Sequence, residues 1–285
     1  MLSTTPKLLR LRARWGGQVN DLHALSTRVG PEDILRESDG IHLSKFGEEV
    51  IGKHVAGTIE NALFSPVSIG AGQEEGFKAI FNGNDLAGWD GKPGAWKVYN
   101  GEIWCTGQAE GKNWLIWRGQ QPADFVLRLD FRWDKGNSGV QVRSDDLGNW
   151  MVQGYQVEVA KQSVMGLWHH SLLDNDHPRK QVRHLMATAG QQVFLGNDGS
   201  KTVDQVGSAE SLKQKFNEHA WNTMEIIANG DTLTQKINGV IFSRVTDQDN
   251  DMRRRKGFIA LQDHGRGCKV AFRNIRLRVV NHTSP

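Results

Sequence analysis

The sequence predicts a mainly β protein: an antiparallel sandwich or jelly roll over residues 77–280, with a small α-helical fragment at its N-terminus. Three observations predict it. Apolar and polar residues alternate with period two in several segments, Asn-Gly pairs sit between two pairs of such segments, and helical periodicity stops near residue 65.

The helical pattern comes first. Phe46, Val50, Ile51, Val55, Ile59, Ala62 and Leu63 recur at three- and four-residue steps, so they line one helix face. Ser44 is placed to cap the start, and Pro66 cannot continue the hydrogen-bond ladder. Residues 66–76, rich in Gly, Ser and polar side chains, read as a linker between a fragment at 1–65 and a domain at 77–280, with 281–285 a tail.

Strand signals follow. Residues 96–99 and 102–105 flank Asn100-Gly101, a pair suited to the left-handed backbone of a two-residue hairpin turn. Phe125, Leu127, Leu129, Phe131 and Trp133 alternate with Arg128, Asp130 and Arg132. A second hairpin centres on Asn238-Gly239, and residues 258–264 and 270–280 supply the last strands. A short helix is expected over 208–218. Between Ala160 and Ala220 the periodicity weakens, which suggests a long functional loop or lid, with 192–195 a strand within it.

Composition narrows the function classes. The chain has 285 residues, 24% charged and 38% hydrophobic, as ordinary globular proteins do. It contains no run of ~18 apolar residues, so no membrane span is expected. The basic start lacks the apolar stretch of a secretory signal. A formal charge of +3 is slight, and the run Arg253-Arg254-Arg255-Lys256 reads as a solvated loop rather than a nucleic-acid patch. Ten tryptophans against two tyrosines suit either sugar-stacking surfaces or an aromatic core. Cys105 and Cys268 are too few for a disulfide framework and wrongly spaced for zinc. They read as a bridge between early and late strands, or as two reduced, buried thiols.

Candidate chemistry appears where strands carry polar residues on one face. Gln141 and Arg143 lie opposite Val140 and Val142, and Gln156 and Glu158 lie opposite Tyr155, Val157 and Val159. Gln262 and His264 share a face, with Asp263 on the other. Such a face is either plain surface or the lining of a polar groove. In a groove, Arg143 would pair with Glu158, because a buried charge needs a partner. Gln and Arg read hydroxyls, whereas Glu158 and His264 can move protons near neutral pH. Trp168 would stack on a pyranose face or pack in the core. His169, His170, Asp174 and His177 suggest either a divalent-metal cluster or a hydrogen-bonded lid. No cofactor is otherwise expected.

From Phe77 onward the chain resembles the 3-keto-disaccharide hydrolase family, also described as 3-keto-glucoside 1,2-lyase/3-keto-2-hydroxy-glucal hydratase domains. The resemblance rests on FNGNDLAGW, FVLRLDFRW, GNSGVQVRS, GYQVEV, HAWNTMEI, INGV, IALQDHG and VAFRNIRLR in that order, with Trp96 and the Asn100-Gly101 hairpin. It implies a concanavalin-like jelly roll acting on glycosides oxidised at carbon 3. The keto group acidifies the hydrogen on carbon 2, a base removes it, the aglycone is eliminated, and water adds to the glucal. In this reading Glu158 and His264 serve as base and acid. Arg143 and Gln262 hold the keto oxygen, and Gln141, Gln156, Asp263, Trp168 and His169 contribute to substrate binding. The expected partner is a small-molecule or oligosaccharide substrate, not nucleic acid. The alternative is a non-catalytic carbohydrate-binding module.

The N-terminal fragment resembles the end of an SGNH/GDSL hydrolase. VNDLHAL followed by DGIHLSKFGEEVIGKHV matches that family's closing block, where Asp39 and His42 would be the acid and base of a Ser-His-Asp triad. The serine block lies upstream in that family, so this segment is expected to be an inactive remnant of an SGNH domain. If the start is truncated, the family context favours an extracytoplasmic location.

Overall fold

A computed structural model describes residues 34–36, 42–52, 55, 74–161, 164–169 and 183–280, with the backbone but not the side chains of His169, Ala209 and Lys213. The chain divides into two compact units, Met1–Gly72 with Asn217–Trp221, and Gln73–Phe216 with Asn222–Pro285.

In the first unit, a helix over residues 45–52 starts at Ser44, whose Oγ accepts a hydrogen bond from the Gly47 amide at 2.9 Å. That bond satisfies one of the orphan donors of the first turn. Ile34 and Val50 are buried against Leu35, Leu43 and Ile51. Asp39 lies outside the described residues, so the structure does not describe the expected Asp39–His42 pair. Among the described residues no helix is long and apolar enough to cross a membrane.

The second unit is built of strands. In chain order they are β1 (Lys78–Ala79), β2 (Trp89–Asp90), β3 (Trp96–Tyr99), β4 (Glu102–Cys105), β5 (Asn113–Trp117), β6 (Phe125–Lys135), β7 (Ser138–Gly148), β8 (Met151–Val159) and β9 (Gly166–His169). There follow β10 (Leu185–Thr188), β11 (Gln191–Leu195), β12 (Lys201–Gln205), β13 (Trp221–Asn229), β14 (Thr232–Ile237), β15 (Val240–Asp247), β16 (Phe258–Asp263) and β17 (Lys269–Val279). Both hairpins form at the Asn-Gly pairs. Asn100 and Gly101 have φ of 50° and 77°, and Asn238 and Gly239 have φ of 49° and 82°, the left-handed region such turns require.

Two sheets result. One runs β12-β11-β15-β14-β13-β6-β17-β4-β3, with β1 added to β17, and the other runs β10-β9-β8-β7-β16-β5-β2. Their inner faces share one apolar core: Leu127, Leu129 and Phe131 of β6 meet Val140 and Val142 of β7 and Tyr155, Val157 and Val159 of β8. The fold is therefore a jelly-roll β-sandwich, as the alternation predicts, and of the concanavalin-like kind that the family resemblance implies.

Within the stretch after Ala160, where a functional loop or lid is expected, residues 162–163 and 170–182 lie outside the described residues, and the remainder holds regular structure. It supplies β9 to β12 and one helix, Ala209–Lys213, shorter than the predicted span and capped by the Ser208 hydroxyl. β11 is the strand expected over 192–195, whereas the others hide from pattern reading because β9 and β10 have four residues each and β12 is largely exposed on both faces. Alternation needs a longer half-buried strand to show.

Candidate functional site

Period two decides what the outer face of the seven-stranded sheet carries. Val157 and Val159 point into the core, so Gln156 and Glu158 point outward. Gly139 of β7 stands opposite Glu158 on one side and Gln262 on the other, and Gln156 stands opposite Gln141 and Trp168. A pocket of about 210 Å³ opens over this part of the sheet. Gln156, Glu158 and Gln262 line its floor beside Asn137. Val164, Trp168 and His184 line it from the segment around β9 and β10, and Lys112, His184 and His264 are its exposed members.

The floor is wired together. The Ser144 hydroxyl donates to Gln141 Oε1 at 2.8 Å, and Gln141 Nε2 donates to Gln156 Oε1 at 3.2 Å. Gln156 Nε2 then donates to Glu158 Oε2 at 2.7 Å and to Gln262 Oε1 at 2.9 Å. Asn137 Nδ2 donates to Glu158 Oε1. Because Gln262 turns its oxygen toward Gln156, its Nε2 is left as a buried N–H donor with no partner among the described residues, and Trp168 Nε1 is in the same condition. Two such donors in one pocket can bond the acceptor oxygens of a ligand or of water.

Glu158 is 4% exposed. Burial pushes its carboxyl up to about 7, against the opposing effects of the Gln156 and Asn137 hydrogen bonds and the Lys112 charge. Partial burial, with the Lys112 ammonium adding to it, holds the His264 imidazole below its ordinary value. At neutral pH the pocket therefore holds a carboxyl poised between its two forms beside a neutral imidazole.

Other expected site residues sit elsewhere. Arg143 neither lines the pocket nor pairs with Glu158. The β7–β8 register shifts between Val142 and Asp145, and Arg143 has φ of 49°, so a bulge breaks the alternation that would have aligned it with Gln141. Its guanidinium instead bonds the carbonyls of Ala123 and Gly230, at 2.9 and 2.8 Å, and Asp124 Oδ1 at 2.8 Å. Asp263 faces the core, accepting from the Gly265 amide at 2.9 Å and Asn113 Nδ2 at 3.3 Å. Gln141 reaches the pocket only through Gln156. His169 stands opposite Tyr155 in β9, and its side chain lies outside the described residues, as do His170, Asp174 and His177 of the expected metal cluster. Among the described residues, the one group of potential metal ligands close together is Cys105, Asp263 and Cys268, on the core side of β16.

Sequence reading missed Lys112, Asn137, Gly139 and His184 as site residues. A polar turn residue beside a strand, as in Gly136-Asn137-Ser138, is the signal for Asn137. Gly139 matters for its lack of a side chain, since a Cβ there would sit 2.6 Å from Cγ and Cδ of Gln156. Gln156 is pinned by its hydrogen bonds and cannot swing clear. Gly139→Ala is therefore expected to cost about 1–3 kcal/mol in a thermal melt, as overpacking does elsewhere.

The sandwich and its polar pocket define a jelly-roll protein with a small polar cleft on one sheet face. The chain belongs to the 3-keto-alpha-glucoside-1,2-lyase-like domain family, whose model matches residues 76–278. Its function is accordingly carbohydrate-related. A search of curated proteins finds no match. Similar solved structures include a protein from Parabacteroides distasonis provisionally named a glycosyl hydrolase (20% identity, covering 72% of this chain and 99% of that one, TM-score 0.46). They also include carbohydrate-binding module CBM66 of Bacillus subtilis (14% identity, 66% and 94% covered, TM-score 0.43) and the Bacillus licheniformis β-glucanase (10%, 72% and 97%, TM-score 0.42).

Proposed function

We propose that this chain cleaves 3-keto-glycosides by eliminating the aglycone and hydrating the resulting glucal. The observation that carries the reading is Glu158: a buried carboxyl held near pH 7, inside a pocket whose other groups offer N–H donors. Glu158 takes the proton from carbon 2. The electron pair becomes the carbon 1–carbon 2 double bond as the glycosidic oxygen departs. Gln262 Nε2, Trp168 Nε1 and the Lys112 ammonium offer bonds to the keto oxygen as it gains enolate charge, a role expected of Arg143 from sequence. His264 donates a hydrogen bond to the departing oxygen, which takes its proton from a water; the hydroxide so formed adds to carbon 1 of the glucal while Glu158 returns its proton to carbon 2. A pocket below the ~300–1,000 Å³ of drug-sized sites suits one pyranose ring, with the aglycone projecting outward.

The direct test is incubation with 3-keto-glucosides while following 2-hydroxy-3-keto-glucal, with and without chelator. kcat/KM should rise with pH through an inflection near 7, as the Glu158 carboxylate forms. His264→Asn should lower it about 10²-fold without moving that inflection. Absence of any glucal or cleaved product would remove the reaction. The Trp168 wall favours the second reading, a binding module, and sugar binding without turnover would establish it.

A further inference from the structure

We propose that Cys105 and Cys268 are a disulfide-forming pair that cross-links the strands directly behind the pocket. Cys105 ends β4, and Cys268 immediately precedes β17, to which β4 is paired. Both thiols are free and buried, 4% and 1% exposed. Their Sγ atoms and an Asp263 carboxylate oxygen all lie within 4.8 Å of one another. The Cys268 backbone is hemmed in by two turns: a Cβ at Gly107 or at Gly136 would come within 2.9 Å of it. Side-chain rotation about the existing backbone is therefore the movement available for bringing the sulfurs to the ~2 Å of a bond.

The pair touches the site from behind. Cys105 Sγ donates to the carbonyl of Gln262 at 3.8 Å, and Cys268 Sγ donates to the carbonyl of Asn137 at 3.3 Å. Gln262 and Asn137 both line the pocket, and Asn137 also bonds Glu158. Bridging withdraws both S–H donors from these carbonyls, so the redox state of the pair bears on how the floor is held.

The chemistry balances with glutathione disulfide as oxidant. One cysteine loses its proton and attacks the glutathione disulfide, releasing one glutathione. The second cysteine loses its proton and attacks the mixed disulfide, releasing the other. Two thiols are oxidised to one disulfide and one glutathione disulfide is reduced to two glutathiones. Burial holds the Cys105 thiol well above its usual range, so exchange is slow in the native fold and faster while the chain is folding.

The test is to fold the full chain in a glutathione redox buffer at mildly alkaline pH and, in parallel, in dithiothreitol. The oxidised sample should lose two hydrogen masses, give a linked Cys105–Cys268 peptide in a non-reduced digest and melt several degrees higher. Cys105→Ser should abolish all three changes. The affinity for a 3-keto-glucoside should shift a few-fold and return on reduction. That last readout rests on the proposed function, whereas the mass and the digest do not. Two thiols that remain alkylatable in denaturant after this exposure would overturn the pair, as would glutathione adducts without a link. One tightly bound zinc per chain, lost in Cys268→Ser, would reassign the cluster as a metal site and equally overturn it.

Discussion

Glu158→Gln is expected to lower turnover of a 3-keto-glucoside by about 10²–10⁴-fold, the range for loss of a positioned general base, and to make the fold more stable above pH 7. The two effects share one cause. Burial raises the carboxyl from 4.5 to about 7. Between those values the folded protein keeps a proton that the unfolded chain has released. Stability is thus fully present below pH 4.5, falls as pH rises, and levels off above about 7, by roughly 3 kcal/mol in all. Glutamine cannot ionise, so this slope should vanish. It also has one acceptor oxygen where the carboxylate has two, so either Asn137 or Gln156 loses a bond worth about 1 kcal/mol. The net gain at pH 8 is about 2 kcal/mol. Denaturant unfolding at pH 5 and pH 8, with kinetics on the same samples, measures both. Undiminished turnover in this variant would remove Glu158 from the chemistry, and an unchanged pH slope would remove the buried ionisable carboxyl.

Arg143→Ala should destabilise the protein by about 3–5 kcal/mol while leaving the pocket's own chemistry in place. Arg143 is 2% exposed, and its guanidinium gathers Asp124 and the carbonyls of Ala123 and Gly230 into one knot. Truncation takes the guanidinium away from two carbonyls and from the Asp124 carboxylate, which keeps the Gly230 amide, and removing one side of a buried ion pair is costly. Arg143→Lys should recover only part of the loss, because an ammonium cannot reach three directions in one plane. A melting temperature lower by about 10 °C, with the inflection near pH 7 retained in whatever activity remains at low temperature, is the expected result. A stable variant that fails only to bind sugar would return Arg143 to the site.

The contrast between these two residues shows how far local pattern reaches. Gln156, Glu158 and Gln262 lie in strands that keep their alternation, so counting by twos from Val157 or Leu261 is enough to put all three on one face. Arg143 lies two residues beyond Gln141 and would share that face in a regular strand. The bulge between Val142 and Asp145 sends it elsewhere, and no residue type in that stretch announces a bulge. Asp263 is placed toward the core by the same alternation, and its chemical type alone suggested a sugar contact.

By itself, then, the sequence determined the mainly β architecture, both Asn-Gly hairpins and the polar row on β8 and β16, because hydrogen-bonding period and turn chemistry are local properties. Tertiary structure alone decided which polar residues enclose a pocket. Lys112, Asn137 and His184 come from separate turns and strands and meet through sheet order and register. The ionisation of Glu158 was likewise decided there, since desolvation depends on every element packed around a carboxyl and not on its neighbours in the chain.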